Sequence, residues 1–140
     1  MKTIIAPTDF SRISVNAVNY AADLAASLHA KLLLLNVVEI PVAVSEIPVP
    51  QPVFGEMLQD SSHDLEELAA KLRTQTNGKI DISSEVMIGD IEYQIGETVK
   101  RENPFVLVMG LTTGKSGERF FFGSKTLSII KHLNFPANIE

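Results

Sequence analysis

The sequence predicts an α/β domain built on a doubly wound parallel sheet, with helices on both faces. Three observations carry that expectation. The short runs Thr3–Ala6, Leu32–Val38 and Phe105–Met109 are largely apolar at consecutive positions, as strands covered on both faces require. Stretches with apolar residues at helical spacing alternate with these runs along the chain. Glycine, proline or asparagine stands at nearly every junction.

Each element follows in order. Thr3–Ala6 is a strand stopped by Pro7, and Ser11 or Ser14 caps the next helix, which runs to about Leu28. Val15, Val18, Ala22 and Ala25 mark its apolar face. Leu32–Val38 is the second strand. Pro41, Pro48, Pro50 and Pro52 then exclude regular helix and central strand, leaving a loop of roughly fifteen residues. From about Phe54 a second helix places Leu58, Leu65, Leu68 and Leu72 on one face and ends at Asn77-Gly78. Ile80, Ile82 and Val86 alternate with polar residues, which suits a strand nearer a sheet edge. After a turn at Gly89-Asp90, Ile91, Ile95 and Val99 give a third helix ending before Asn103-Pro104. Phe105–Met109 is the fourth strand. Beyond a glycine-rich loop, Leu127, Ile130 and Leu133 mark a fourth helix from about Ser124, and Pro136–Glu140 is a stub of a fifth strand.

At 140 residues the chain suits one domain, 1–140, with a substantial core. Hydrophobic residues make up 45% and charged residues 21%, ordinary values for a globular protein. A net charge of −5 disfavours nucleic acid as the main partner, because a phosphate backbone calls for a basic face. The absence of cysteine excludes disulfides, thiolate catalysis and Cys-ligated metal. The N-terminal apolar run is too short for a signal-peptide core, and no run approaches a membrane span. A cytoplasmic location is the expectation.

Residues 110–124, GLTTGKSGERFFFGS, hold the densest chemistry. A phosphate loop of the Walker A kind needs four residues between its first glycine and Gly-Lys-Ser; here Leu111, Thr112 and Thr113 are three. Its lysine and serine should also open a helix, yet Gly117 follows Ser116 at once and Gly123 precedes any helical pattern. A different arrangement fits: strand, glycine loop, then Gly123-Ser124 opening a helix, which makes an anion site from free amides and a helix N-terminus. In a doubly wound sheet that crevice lies beyond the strand C-termini, so the loop after the first strand, Pro7-Thr8-Asp9-Phe10-Ser11, would face it. The same residues have simpler uses. Asp9 could cap the first helix with Ser11, Lys115 and Arg119 could be solvated loop charges, and Phe120–Phe122 could pack on the sheet or a partner. His29, His63 and His132 lie on separate predicted helices without ligand spacing, and no Gly-x-Ser-x-Gly elbow occurs.

MKTIIAPTDFS at the start, LLLLNVVE after the first helix, Gly89-Asp90, and VMGLTTGKSGERFFFGS together resemble the universal stress protein (UspA) family over essentially the whole chain. That resemblance implies a Rossmann-like sheet of order 3-2-1-4-5 and a stress-response binding module for ATP, ADP or AMP, with or without Mg²⁺. It implies at most slow ATP hydrolysis, pairing as a homodimer or as one half of a tandem two-domain protein, and neither nucleic-acid nor membrane partners. The family signature is glycine, two residues, glycine, nine residues, then glycine and serine or threonine. Gly110 and Gly123-Ser124 match it, while Thr113 occupies the middle glycine's place and Gly114 follows one residue late. Either the loop absorbs that shift, or the Thr113 side chain intrudes on the phosphates. By the same resemblance Asp9 would accept ribose hydroxyls or a base amine, and the Val38 backbone would read the adenine edge. The loop residues Thr112, Thr113 and Gly114 would surround the phosphates held by Ser124, with Lys115, Arg119 and Lys125 supplying charge. The alternative is a family member that binds a protein partner and no nucleotide.

Overall fold

The computed structural model describes residues 1–39, 51–110 and 137–139. The elements are β1 (Thr3–Pro7), α1 (Arg12–Leu28), β2 (Lys31–Val38), α2 (Gln51–Gln75), β3 (Ile82–Ile88), α3 (Ile91–Glu102), β4 (Val106–Met109) and β5 (Ala137–Ile139). The strands form one sheet of order β3-β2-β1-β4-β5. Every neighbouring pair is parallel.

Strand alternation divides the core in two. Ile4, Ala6, Leu32, Leu34, Val106 and Val108 point to the face covered by α1 and α2. Ile5, Leu33, Leu35, Leu107 and Met109 point to the other face, where Ile91 and Ile95 of α3 meet them. The central strands are therefore buried on both sides, which is why they read as unbroken apolar runs. β3 is outermost, and its Ser83–Val86 stretch is correspondingly more polar and partly exposed.

Helix ends follow their local chemistry. Ser11 is the N-cap of α1 and accepts from the Ser14 N–H, so Ser14 itself lies inside the helix and is buried. The buried stripe of α1 is Ser14, Ala17, Val18, Ala21, Ala22 and Ala25, with Val15 only half-buried. Small residues there let the helix axis approach the sheet closely. Asp90 caps α3 by accepting from the Tyr93 N–H, and Asn103 ends it in the left-handed conformation at φ 45°.

Two sequence expectations change. Pro7 continues β1 by one residue instead of ending it, pairing with Leu35. Pro52 lies inside α2, which starts at Gln51, earlier than Phe54. A proline in a first turn is tolerated because N–H groups there have no intrahelical acceptor. Residues 40–50, holding the other three prolines of that loop, and 111–136, holding the glycine loop and the expected fourth helix, lie outside the described residues.

Candidate functional site

The strand order reverses between β1 and β4, because α1 leads from β1 to one side while α3 returns from β3 to the other. Ligand crevices in such sheets open there, past the strand C-termini. Ladder alternation shows why this one opens where it does. Thr8 N–H donates to Leu35 O on the β2 side, and Phe105 N–H donates to Thr3 O on the β4 side. Thr3, Ile5 and Pro7 therefore turn their backbone groups toward β4. Pro7 has no N–H to give, and the β1–β4 register runs only from Ile4↔Val106 to Ile5↔Leu107.

Above Pro7 the chain makes a compact polar turn. Thr8 Oγ1 accepts from Phe10 N–H at 3.0 Å, and Phe10 is held at φ 67°, a conformation that costs a bulky residue about 1–2 kcal/mol. Asp9 Oδ1 accepts from Ser11 N–H at 2.9 Å and from the Ser14 hydroxyl at 2.9 Å. Ser14 Oγ also lies 2.8 Å from Thr8 Oγ1 and 3.1 Å from Ser11 Oγ. A hydroxyl has one proton and two lone pairs. With its proton directed to the carboxylate, Ser14 accepts from Thr8 and Ser11, and the chain of donors runs one way toward Asp9. The sequence left Asp9 as a cap of the first helix together with Ser11 or as a ligand residue; Ser11 is the N-cap, and Asp9 joins it by accepting from the Ser11 N–H and the Ser14 hydroxyl.

Gly110 ends β4 against the first turn of α1. A Cβ built there would lie 3.0 Å from both Ile13 Cγ2 and Ile13 O. Contact with a backbone oxygen cannot be relieved by a rotamer change, so a side chain here would push the first turn of α1 outward by a few tenths of an ångström. This sets Gly110, the end of β4, against the first turn of α1, the helix that follows the Asp9 turn.

Val38 is placed differently from the expectation. Lys31 N–H and Leu35 O bond to β1, whereas Leu32 N–H and Val38 O bond to Asp81 O and Gly89 N–H on the β3 side. Odd-numbered residues of β2 thus face β1 and even-numbered ones face β3. The Val38 carbonyl turns away from the crevice, and Val37 turns its N–H and C=O toward it, past the last β1–β2 pair, Pro7↔Leu35. Which of the two residues faces β1 follows from parity counted along a paired strand, and that needs the register.

Two hollows among the described residues, about 590 and 350 Å³, lie at the opposite ends of the strands. Lys2 and Phe105 line the first, with the Lys2 ammonium 4.4 Å from the ring centre, and His29 and Asp81 line the second. Neither borders the C-terminal end of the β1–β4 seam. Among the described residues no cluster of three His, Cys, Asp or Glu could hold a metal, and no helix is long and apolar enough to cross a membrane.

The model of the universal stress protein family matches residues 1–138. The chain belongs to that family. It is 28% identical over 138 residues to a universal stress protein of Methanocaldococcus jannaschii, a match covering 96% of this chain and 79% of the relative. UspA from Lactobacillus plantarum superposes with a TM-score of 0.79 at 21% identity, covering 99% of this chain and 96% of that one. The universal stress protein of Archaeoglobus fulgidus in complex with dAMP superposes with a TM-score of 0.69 at 14% identity, covering 99% and 96%. Two other structural relatives are complexes with cAMP and, from Arabidopsis thaliana, with AMP. At these identities the structural likenesses establish the fold.

Within this universal stress protein domain the described residues bring together Asp9, Gly110 and the end of β2. Thr112, Thr113, Gly114, Lys115, Arg119, Gly123, Ser124 and Lys125 lie outside the described residues.

Proposed function

We propose that this chain is a binding and regulatory module that holds an adenine nucleotide in the crevice between β1 and β4. The observation that carries the reading is the convergence at one switch point of an oriented carboxylate, Asp9, with the backbone edge of Val37 past the end of the β1–β2 ladder. A backbone N–H beside a C=O matches the ring-nitrogen acceptor and exocyclic amine donor of adenine, and a carboxylate accepts from ribose hydroxyls. The dAMP, AMP and cAMP complexes of structural relatives support the same ligand class. Phosphates would fall toward the loop that Gly110 begins, with Gly123, Ser124 and the nearby cations holding them. Any Mg²⁺ would arrive on the phosphates, since the described residues offer it no site of their own.

We assign binding to this site and at most slow ATP hydrolysis, a reading that membership of the universal stress protein family supports. Pairing with a second copy or a second domain belongs to the same proposal; the three-residue β5 at one edge of the sheet suits it. Sedimentation of the purified chain checks that pairing. The partner-binding alternative is favoured by one feature, Thr113 in the place of a signature glycine. Calorimetric titration with ATP and with AMP decides between them: saturable heat at micromolar to millimolar nucleotide is expected, and no heat at millimolar concentration overturns the nucleotide reading.

A further inference from the structure

Asn36 is 6% exposed, and its Nδ2 donates to Thr8 O at 2.9 Å across the end of the β1–β2 ladder. Regular pairing would give that carbonyl to a backbone donor. Thr8 N–H already bonds Leu35 O, so the next bond of the parallel ladder would run from Val37 N–H to Thr8 O. The Asn36 side chain takes its place. The amide orientation follows from the acceptor, since the flipped form would set two oxygens against each other. Its Oδ1 is buried and meets no hydrogen-bond partner among the described residues. Leaving such an acceptor unmatched is unfavourable, so stability alone does not account for an asparagine here, where Leu32 and Leu34 occupy the equivalent positions earlier on the same face.

We infer that Asn36 is a positioning residue for adenine recognition: by occupying Thr8 O it keeps the Val37 N–H out of the sheet and available to the base. This rests on the nucleotide reading above. Adenine N1 accepts from Val37 N–H, and the exocyclic amine donates to Val37 O. Guanine or hypoxanthine carries a donor at N1 and an acceptor at C6, so each polar atom would meet its like at the same placement. Asn36 thereby contributes to base selection without touching the ligand.

The experiment replaces Asn36→Leu and reads three quantities. Amide exchange by NMR should show Val37 N–H exchanging fast in the free wild type, slowed by AMP, and slowed without AMP in the variant as the ladder closes onto Thr8. AMP affinity should fall roughly tenfold, the scale of one lost hydrogen bond in a desolvated site. The preference for AMP over 1-deaza-AMP, which has C–H in place of N1, should collapse in the variant, while its thermal midpoint stays level or rises. A merely structural asparagine would instead lower the midpoint and weaken both ligands equally; that result overturns the inference. So does fast Val37 exchange in both proteins. If the wild type binds neither ligand, the nucleotide reading fails, and the exchange contrast alone still decides whether Asn36 holds the amide out of the ladder. Should Asn36→Leu not fold, the smaller Asn36→Val serves, and failure of both to fold overturns the proposal.

Discussion

Ser14 on α1 directs its hydroxyl to the Asp9 carboxylate at 2.9 Å while accepting from Thr8 at 2.8 Å. One buried side chain thus ties the helix, the end of β1 and the candidate ligand residue together. Ser14→Ala removes one of the carboxylate's donors and strips the buried Thr8 hydroxyl of its acceptor. A loss of about 1–3 kcal/mol in urea denaturation is expected, together with weaker AMP binding. Unchanged stability would show that the Thr8 hydroxyl finds another acceptor.

Gly110→Ala places a methyl group against Ile13 O, where the Cβ distance would be 3.0 Å. The first turn of α1 must shift outward, and the Asp9 turn with it. Overpacking of this kind costs typically 1–3 kcal/mol. The thermal midpoint should fall, and chemical shifts should move at Thr8–Ser14, far in sequence from the substitution.

Glu66 on α2 bridges to β3, accepting from Arg73 at 2.6 Å and from Ser84 at 3.1 Å, while Arg73 also donates to Ile82 O at 2.9 Å. These bonds, Arg73's first, hold the Glu66 carboxyl below its ordinary pKa. A lowered carboxylate pKa stabilises the folded state above the unfolded value and loses that contribution as pH falls through the folded one. Glu66→Gln should therefore be less stable than wild type at pH 7, with the gap closing below about pH 4. Both side chains are substantially exposed, 41% for Arg73 and 56% for Glu66, so the gap should stay within about 1 kcal/mol. Denaturant midpoints measured across pH 3–7 read it directly.

The shifted glycine calls for a paired test. If Thr113 obstructs the phosphate loop, Thr113→Gly should tighten ATP binding and Gly114→Ala should matter little. If Gly114 serves in the displaced register, Gly114→Ala should weaken ATP severalfold and Thr113→Gly should gain nothing. AMP, with fewer phosphates, should respond less than ATP in either case, as parallel titrations would show.

Much of the fold was legible because its signals are local. Consecutive apolar residues mark strands covered on both faces, and the Gly89-Asp90 and Asn103 punctuation bounds α3. Pro52 misled, because proline is unfavourable in a helix interior and acceptable in a first turn, and one residue cannot say which it is. The contacts of Glu66 with Arg73 and Ser84 depend on α2 lying along β3, which spacing does not encode.

The sequence by itself determined the alternation of strands and helices, and it marked Asp9 and Gly110 as residues where two loops would meet. Tertiary structure decided what those loops can present. Adjacent residues of a strand point their backbone groups in opposite directions, so Val37 and Val38 turn theirs to different sides of β2, and only the register with β1 and β3 tells which one faces the crevice. The same register gives Asn36 the Thr8 carbonyl, a contact 28 residues apart in sequence that exists only once β2 lies against β1.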